Sequence, residues 1–305
     1  MPHALRRAAA LVASAGALML AACGGAASTS TASSDSACPN NGTVRFAVEP
    51  YADAAQLQPL YQQVATLLST KLGCTVKLTI TNNYTAEVEA MRAKKLDVGE
   101  FGPLGYVFAH RVANAEPLVT FADASGTPLT YYASVVTTPN TGITDLKGVA
   151  GHTFAYSDPA STSGHLFPAY GLKKAGVDPD TGVKAQYAGS HTASFLAIMN
   201  HKVDAGELNS DTIAGATKQG QYRASDYVTL WKSDPIPQDP IAVRGDLPAG
   251  FKTKLKQALL ALDLSSVSDP KGQLIAAKLV SQTNAPYQQI ADLANTLGID
   301  VNHIG

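Results

Sequence analysis

The sequence predicts an α/β protein of two lobes, with a hinge and an interdomain cleft between them. Two observations predict this fold class. Short apolar strands alternate with amphipathic helices over residues 44–98, which is typical of a parallel sheet. The same alternation begins again near residue 131. The 283 residues from Cys23 to the end of the sequence can build one large domain or two medium ones.

The first unit begins with a predicted strand over residues 44–48. Residues 57–72 carry apolar side chains at spacings of three and four, which predicts an amphipathic helix that ends at Gly73. The next predicted elements are a strand over 74–80, a helix over 85–95 and a short strand over 96–98.

The second unit has predicted strands at 131–137, 153–156, 203–205 and 228–231, and helices near Ser163 and over 192–201. Residues 241–244 are predicted to return to the first unit, and helices over 251–262, 271–280 and 287–297 close the chain. The crossings near 135–138 and 239–244 form the predicted hinge. Lobe 1 is then residues 43–135 with 244–305, and lobe 2 is residues 136–243. Loops after the strands are expected to face the cleft.

The N-terminus has the pattern of an export signal. Arg6 and Arg7 precede an uncharged apolar run over residues 8–22, which is shorter than the ~20 residues of a membrane-spanning helix. The run ends in Leu20-Ala21-Ala22-Cys23, which is similar to a bacterial lipobox. We therefore predict a signal peptide over 1–22 and lipidation of Cys23; the alternative is an ordinary signal peptide with a chance cysteine. Sec export is favoured, because the residues around the two arginines lack the Tat pattern.

Residues 24–37 are almost entirely Gly, Ala, Ser and Thr. Such a composition cannot bury enough apolar surface to fold, so residues 23–42 are predicted to be a lipidated flexible tether. Two or more acyl chains give a stable anchor. The protein is therefore expected at the outer face of the cytoplasmic membrane.

Composition excludes several classes of function. Two of the 23 basic residues lie in the signal peptide, so the remaining chain has 21 basic against 24 acidic residues and a charge of −3. No basic tract is present, and nucleic acid is an unexpected partner.

Cys38 and Cys74 each precede a predicted strand, and parallel pairing of those strands would allow a disulfide in an exported protein. The alternative is two buried free thiols.

One motif has the character of an anion site. Ser161-Thr162-Ser163-Gly164 follows a strand and Asp158-Pro159, and it precedes a helix. The first N–H groups of a helix have no partner within it, and the helix dipole is positive there. Three consecutive hydroxyls add uncharged donors. The plainer interpretation is a serine-rich helix cap.

The block Tyr156-Ser157-Asp158-Pro159-Ala160-Ser161-Thr162-Ser163-Gly164-His165-Leu166-Phe167-Pro168 resembles the phosphate/phosphite/phosphonate-binding proteins of bacterial ABC transporters. The resemblance continues through residues 84–92, 97–104, 188–197 and 232–247, and covers roughly residues 43–275. It implies a type II periplasmic-binding fold, a small phosphorus oxyanion as ligand, and an ABC permease with its ATPase as partners. It implies no enzymatic activity and no cofactor, and a monomer is expected.

The resemblance also implies roles for individual residues. Ser161, Thr162, Ser163 and His191 would contact the phosphonate oxygens. Tyr84 and Tyr131 would contribute phenol groups from lobe 1. Two carboxylates would take part in substrate selection, including the grip on an amino group: Asp211, where the family often has Glu, and Asp239, which stands at a family aspartate.

Glu100 departs from the family, which usually has an aromatic residue before the equivalent of Phe101. A carboxylate near a dianion is unfavourable unless a proton or cation lies between them. Glu100, Asp211 and Asp239 therefore favour a protonated oxyanion or a ligand amine over fully ionised phosphate. The alternative is that Glu100 points away from the cleft.

Three other functions compete. Ser161 and His191 would be the nucleophile and base of a serine hydrolase, but no Gly-x-Ser-x-Gly elbow is present. The seven histidines are scattered, without the close spacing of a metal motif, so no metal is expected. A receptor for another small anionic or amino-containing solute uses the same fold.

Overall fold

The structure is a computed structural model that describes residue 35, residues 37–272 and residues 274–303. The predicted signal peptide, Cys23 and most of the predicted tether lie outside the described residues. Within the described part of the chain, no helix has both the length and the apolar character needed to cross a bilayer.

The strands follow one another in the chain as β1 Thr43–Val48, β2 Thr75–Ile80, β3 Val98–Glu100, β4 Glu116–Ala122, β5 Thr130–Tyr131, β6 Ala133–Thr137, β7 Thr153–Tyr156, β8 Lys184–Tyr187, β9 Ala205–Asn209, β10 Val228–Lys232, β11 Ile236–Pro237, β12 Pro240–Val243 and β13 Lys278–Ser281. The helices are α1 Ala54–Leu72, α2 Tyr84–Arg92, α3 Pro103–Ala113, α4 Phe167–Lys174, α5 His191–Met199, α6 Ser210–Lys218, α7 Ala249–Leu260 and α8 Gln288–Leu297.

Lobe 1 is built on a six-stranded sheet with the order β13-β4-β12-β3-β1-β2. The pairs β1–β2 and β1–β3 are parallel, as the sequence predicts, while β12, β4 and β13 pair antiparallel. Side chains of β1 alternate between two apolar clusters, so Phe46 and Val48 pack with α1 whereas Ala47 packs with residues of α2 and α3. The sheet is therefore covered by helices on both faces.

Lobe 2 is built on a five-stranded sheet with the order β10-β6-β9-β7-β8. Strands β8, β7 and β9 are parallel, and β6 and β10 are antiparallel to their neighbours. The loops after β7 and β9 and the start of α5 lie at the carboxyl ends of the parallel strands. This edge faces lobe 1.

The crossings between the lobes differ from the predicted positions. Strand β6 lies wholly in the second sheet, because residues 133–137 pair with β9 and β10, so the predicted boundary at residue 135 falls too late. Strand β12 lies wholly in the first sheet, because it pairs with β3 and β4, so the predicted end of lobe 2 at residue 243 is also too late. The two crossings pair with each other as β5 and β11, with Tyr131 opposite Ile236.

The C-terminal part of lobe 1 differs from the predicted secondary structure. Residues 271–280 were predicted as a helix, and this is wrong: Gly272 is a left-handed turn residue (φ 76°), and residues 278–281 form β13. Strand β13 pairs with β4, a strand that was not predicted from the sequence. This long-range pairing outweighs the local helix propensity of residues 278–281.

Cys38 and Cys74 form a disulfide with a Cα–Cα distance of 5.9 Å. Strands β1 and β2 are parallel neighbours in the register Thr43 to Thr75, which brings the residues before them side by side. The bridge therefore joins the two cysteines at the same end of the sheet.

Candidate functional site

A cavity of about 460 Å³ lies between the lobes. The nine residues that the sequence analysis predicted as ligand contacts all line it: Tyr84, Glu100, Tyr131, Ser161, Thr162, Ser163, His191, Asp211 and Asp239. The fold thus gathers residues from both lobes and both crossings around one space. Its volume is in the range of small-molecule sites, about 300–1,000 Å³.

The hydroxyl cradle, defined as Ser161, Thr162 and Ser163, forms the lobe 2 wall of this cavity. It lies between β7 and α4, at the start of a π-helical turn over Thr162–Leu166. The three residues are at most 2 % exposed. Ser161 Oγ caps the turn by accepting a hydrogen bond from Gly164 N at 3.1 Å. The cradle therefore holds hydroxyls and N–H groups in fixed positions against the cavity.

Gly164 is required by the tight turn that forms the cradle. A Cβ atom at this position would lie 1.7 Å from Ser157 Oγ, which is far inside contact distance. The chain also doubles back here, because Ser157 N donates to Gly164 O at 3.1 Å. The glycine thus lets the strand and the first turn of the helix approach closely enough to form the cradle.

Two hydrogen bonds tie the cradle side of lobe 2 to lobe 1. Leu104 N, in the first turn of α3, donates to Thr162 Oγ1 at 2.8 Å. His191 N, at the start of α5, donates to Tyr51 O at 3.2 Å. The structure therefore has its lobes in contact at the cavity, in a closed arrangement.

His191 is buried and held by Glu207, a residue that the sequence analysis missed. His191 Nδ1 lies 3.0 Å and 2.9 Å from the two carboxylate oxygens of Glu207, and His191 Nε2 lies 3.4 Å from Ser161 Oγ. The side chains are 5 % and 0 % exposed. Glu207 thus fixes the ring so that Nε2 faces the cradle.

The lobe 1 wall carries the carboxyls of Glu100 and Asp239, and neither forms an ion pair with another described residue. Burial raises the pKa of Glu100 to about 8, and the neighbouring polar groups of Tyr61 and Asp239 oppose this rise. Burial, and then the neighbouring charges of Glu100 and Asp211, raise the pKa of Asp239 well above its usual range. Of the described residues that line the cavity, Lys271 is the only lysine or arginine.

Glu49 is a further cavity carboxyl that the sequence analysis missed as a site residue. It follows β1, and its Oε2 accepts a hydrogen bond from Gly102 N at 2.7 Å. Burial first, and the charge of Glu87 second, raise its pKa well above the usual range. The position of Glu49 directly after a strand indicates a site residue, because the loops after the strands are expected to face the cleft.

The tyrosines follow the alternation of the chain at the crossing. Tyr131 is 6 % exposed, and it lines the cavity together with Thr162 and Asp239. Tyr132 points elsewhere, with Lys232 Nζ 3.8 Å from the centre of its ring. Tyr84, at the start of α2, is 2 % exposed. Tyr131 therefore lies in the same cavity as the cradle of lobe 2 and the carboxyls of lobe 1.

The arrangement separates two kinds of chemistry within one cavity. The cradle and His191 present donors, which suit the oxygens of an anion. The lobe 1 wall presents buried carboxyls, which suit a hydroxyl or a cationic group. The site is therefore matched to a small molecule with an oxyanion at one end, rather than to a bare dianion.

Residues 46–295 match a family model described as ABC transporter, phosphonate, periplasmic substrate-binding protein. The chain is 31% identical over 225 residues to the phosphate-import protein PhnD of Mycolicibacterium smegmatis, which covers 70% of each chain. It is 27% identical over 241 residues to the probable ABC transporter phosphite binding protein PhnD1 of Prochlorococcus marinus, covering 75% of this chain and 81% of the relative.

Among solved structures, PhnD1 from Prochlorococcus marinus in complex with methylphosphonate superimposes with a TM-score of 0.74 and 25% identity. The superposition covers 85% of this chain and 99% of that one. A binding protein component of an ABC phosphonate transporter from Pseudomonas aeruginosa, at 24% identity and a TM-score of 0.72, has the same fold. The predicted type II periplasmic-binding fold is confirmed.

Proposed function

The chain belongs to the phosphonate family of periplasmic substrate-binding proteins of ABC transporters, and we propose that it captures phosphite- or phosphonate-type oxyanions by cleft closure. As a component of an ABC importer it works outside the cytoplasm with a permease and its ATPase. The observation that carries the choice of ligand is the hydroxyl cradle. It offers fixed, uncharged donors, with His191 oriented toward them by Glu207.

The carboxyls of lobe 1 support a reduced-phosphorus ligand over phosphate. An ionised oxygen on the fourth position of phosphorus would face Glu100 and Asp239, and Asp211 adds a further negative charge that acts on Asp239. A hydrogen atom or an organic group at that position avoids the repulsion. The relatives differ here, since one is named for phosphate import and another for phosphite binding.

We also propose that the protein is a monomer held at the outer face of the membrane by lipid on Cys23. The lipobox-like sequence and the Gly/Ser/Thr-rich residues after it support this anchor. Anchoring keeps the receptor close to its permease, so that ligand captured in the cleft is delivered over a short distance.

The family consists of binding proteins, not enzymes. Ser161, His191 and Glu207 do stand in the order of a hydrolase triad, with 3.4 Å between Ser161 Oγ and His191 Nε2. However, Ser161 Oγ accepts the capping bond from Gly164 N, and it sits among two further hydroxyls. This arrangement suits donation to a bound anion better than nucleophilic attack.

A thermal-shift panel tests the proposed ligand class. Phosphite, methylphosphonate, 2-aminoethylphosphonate and phosphate are added separately to the mature protein. We expect the reduced-phosphorus ligands to raise the melting temperature more than phosphate does, because binding to the folded state alone stabilises it. A largest shift with phosphate would reject the argument from the carboxyls, and no shift with any of the four would reject the proposed function.

A further inference from the structure

Glu49 lies where the first strand of lobe 1 ends, next to the start of α3. It directly follows β1 and is 2 % exposed. Its Oε2 accepts a hydrogen bond from Gly102 N at 2.7 Å, and Gly102 is the residue that caps the N-terminus of α3. The side chain therefore ties the end of β1 to the first turn of α3.

Two glycines of α3 and its cap leave room for the Glu49 carboxyl. A Cβ atom on Gly105 would lie 2.2 Å from Glu49 Oε1, and one on Gly102 would lie 3.1 Å from Oε2. Oε1 is buried without a hydrogen-bond partner among the described residues, so the described hydrogen bond of the carboxyl is the one to Gly102 N. The first turn of α3 is thus packed directly on this carboxyl.

The turn that Glu49 holds is also the turn that reaches the cradle. Leu104 N donates to Thr162 Oγ1 at 2.8 Å across the cleft. Pro103 lies between Gly102 and Leu104, and its ring restricts the backbone that joins their two N–H groups. A threonine hydroxyl can accept and also donate. Because Leu104 N takes an acceptor position of Thr162 Oγ1, the hydrogen of that hydroxyl is left for a ligand oxygen.

The backbone of the same segment carries the second hydrogen bond between the lobes. Tyr51 N donates to Glu49 O at 2.9 Å, and Tyr51 O accepts from His191 N at 3.2 Å. Both contacts beside the cradle therefore begin at the segment that follows β1. The contact through α3 depends on the side chain of Glu49, whereas the contact through Tyr51 depends on the backbone. A substitution at position 49 can therefore separate the two.

We propose that Glu49 is a positioning residue for cleft closure, which holds the first turn of α3 so that Leu104 N meets Thr162 Oγ1 and directs the Thr162 hydroxyl to the bound oxyanion. The inference rests on the proposed function, because it requires an anion in the cradle. In this role Glu49 acts on the ligand only through α3 and Thr162. Burial raises the pKa of Glu49 well above its usual range, which favours the neutral form, and a neutral carboxyl still accepts from Gly102 N through one oxygen.

A double-mutant cycle between positions 49 and 162 tests this role, because residues that act through one contact are not additive. Methylphosphonate binding is measured by titration calorimetry on the wild type, Glu49→Leu, Thr162→Val and the double variant. Leu cannot accept from Gly102 N, and Val keeps the shape of Thr without its hydroxyl. We expect Glu49→Leu to weaken binding about tenfold on its own, and by less than about twofold when position 162 is already Val.

Two control variants separate positioning from a general loss of stability. Glu49→Gln keeps an acceptor oxygen for Gly102 N, so it should bind methylphosphonate within about threefold of the wild type. Val64→Ala removes methyl groups from a residue of α1 that is 1 % exposed and lies in the core of lobe 1. This variant should lower the melting temperature and leave the affinity within about twofold of the wild type.

A tenfold loss from Glu49→Leu in both backgrounds would overturn the inference, and so would binding by Glu49→Gln as weak as that of Glu49→Leu. If Glu49→Leu does not fold, amide hydrogen exchange of the wild type gives a second test. Leu104 N–H, which bonds across the cleft, should exchange about tenfold more slowly when methylphosphonate is bound. No slowing at Leu104 would overturn the inference. Absence of methylphosphonate binding by the wild type would instead overturn the proposed function.

Discussion

Ser161→Ala tests the cradle most directly. The substitution removes one hydroxyl that is 2 % exposed and lies 3.4 Å from His191 Nε2. A hydrogen bond to a charged group contributes about 1.5–3 kcal/mol. At 1.4 kcal/mol per factor of ten, we expect methylphosphonate to bind roughly 10- to 150-fold more weakly, as measured by titration calorimetry.

The same hydroxyl caps the turn that begins at Thr162, so stability must be measured alongside binding. Loss of a serine cap costs about 1 kcal/mol, and for a chain of this size that lowers the melting temperature by roughly 2–4 °C. Ser190→Ala is the matched control, because Ser190 Oγ also caps a helix, accepting from Ala193 N at 3.1 Å. It should lose similar stability and retain binding within threefold. Ser161→Ala that binds as tightly as Ser190→Ala would refute the assignment of the cradle.

Three further perturbations follow from the described contacts. Glu207→Gln replaces the carboxylate that holds His191 Nδ1. We expect methylphosphonate to bind this variant at least fivefold more weakly by calorimetry, because the orientation of the ring depends on this partner. Unchanged affinity would contradict that role. Burial raises the pKa of Glu100 in the folded state to about 8, whereas the unfolded chain releases this proton above pH ~4.3. The folded state therefore binds more protons between these values, and the free energy of unfolding should fall by on the order of 1 kcal/mol per pH unit from pH 5 to 8. Denaturant titrations should show a shallower fall for Glu100→Gln, and equal slopes would contradict the burial argument. Reduction of the disulfide between Cys38 and Cys74, which are 36 residues apart, should lower the free energy of unfolding by about 4 kcal/mol in denaturant titrations, and a loss below about 1 kcal/mol would contradict the loop-entropy argument.

The sequence predicted the structure correctly where a single local pattern determines an element or a site. The spacing of apolar residues over 57–72 and the left-handed Gly73 predicted α1 and its end. The run of hydroxyl residues before Gly164 predicted the cradle, because the chemistry lies in consecutive residues. The resemblance to the family supplied the distant partners Tyr84, His191 and Asp239, which no local pattern could have joined.

Long-range pairing and burial were outside the reach of local patterns. The residues of β13 have a composition compatible with a helix, and only pairing with β4 makes them a strand. Glu207 lies in the buried strand β9. An acidic residue within a buried strand indicates that it has a polar partner, but the sequence does not identify that partner as His191. The sequence also left open whether Glu100 faces the cleft. In the structure Glu100 faces the cleft, because it lines the cavity together with Asp239.

The disulfide between Cys38 and Cys74 has a mechanical consequence. Tension arriving along the chain from the N-terminal side reaches Cys38 and can pass through the sulfur atoms directly to Cys74. The segment between them contains β1 and α1, including Tyr51 and Tyr61 at the cavity wall. That segment is enclosed in a covalent loop and cannot be stretched by the pull. With the proposed lipid anchor, a pull from the membrane would therefore act on the start of β2 rather than on β1 and α1.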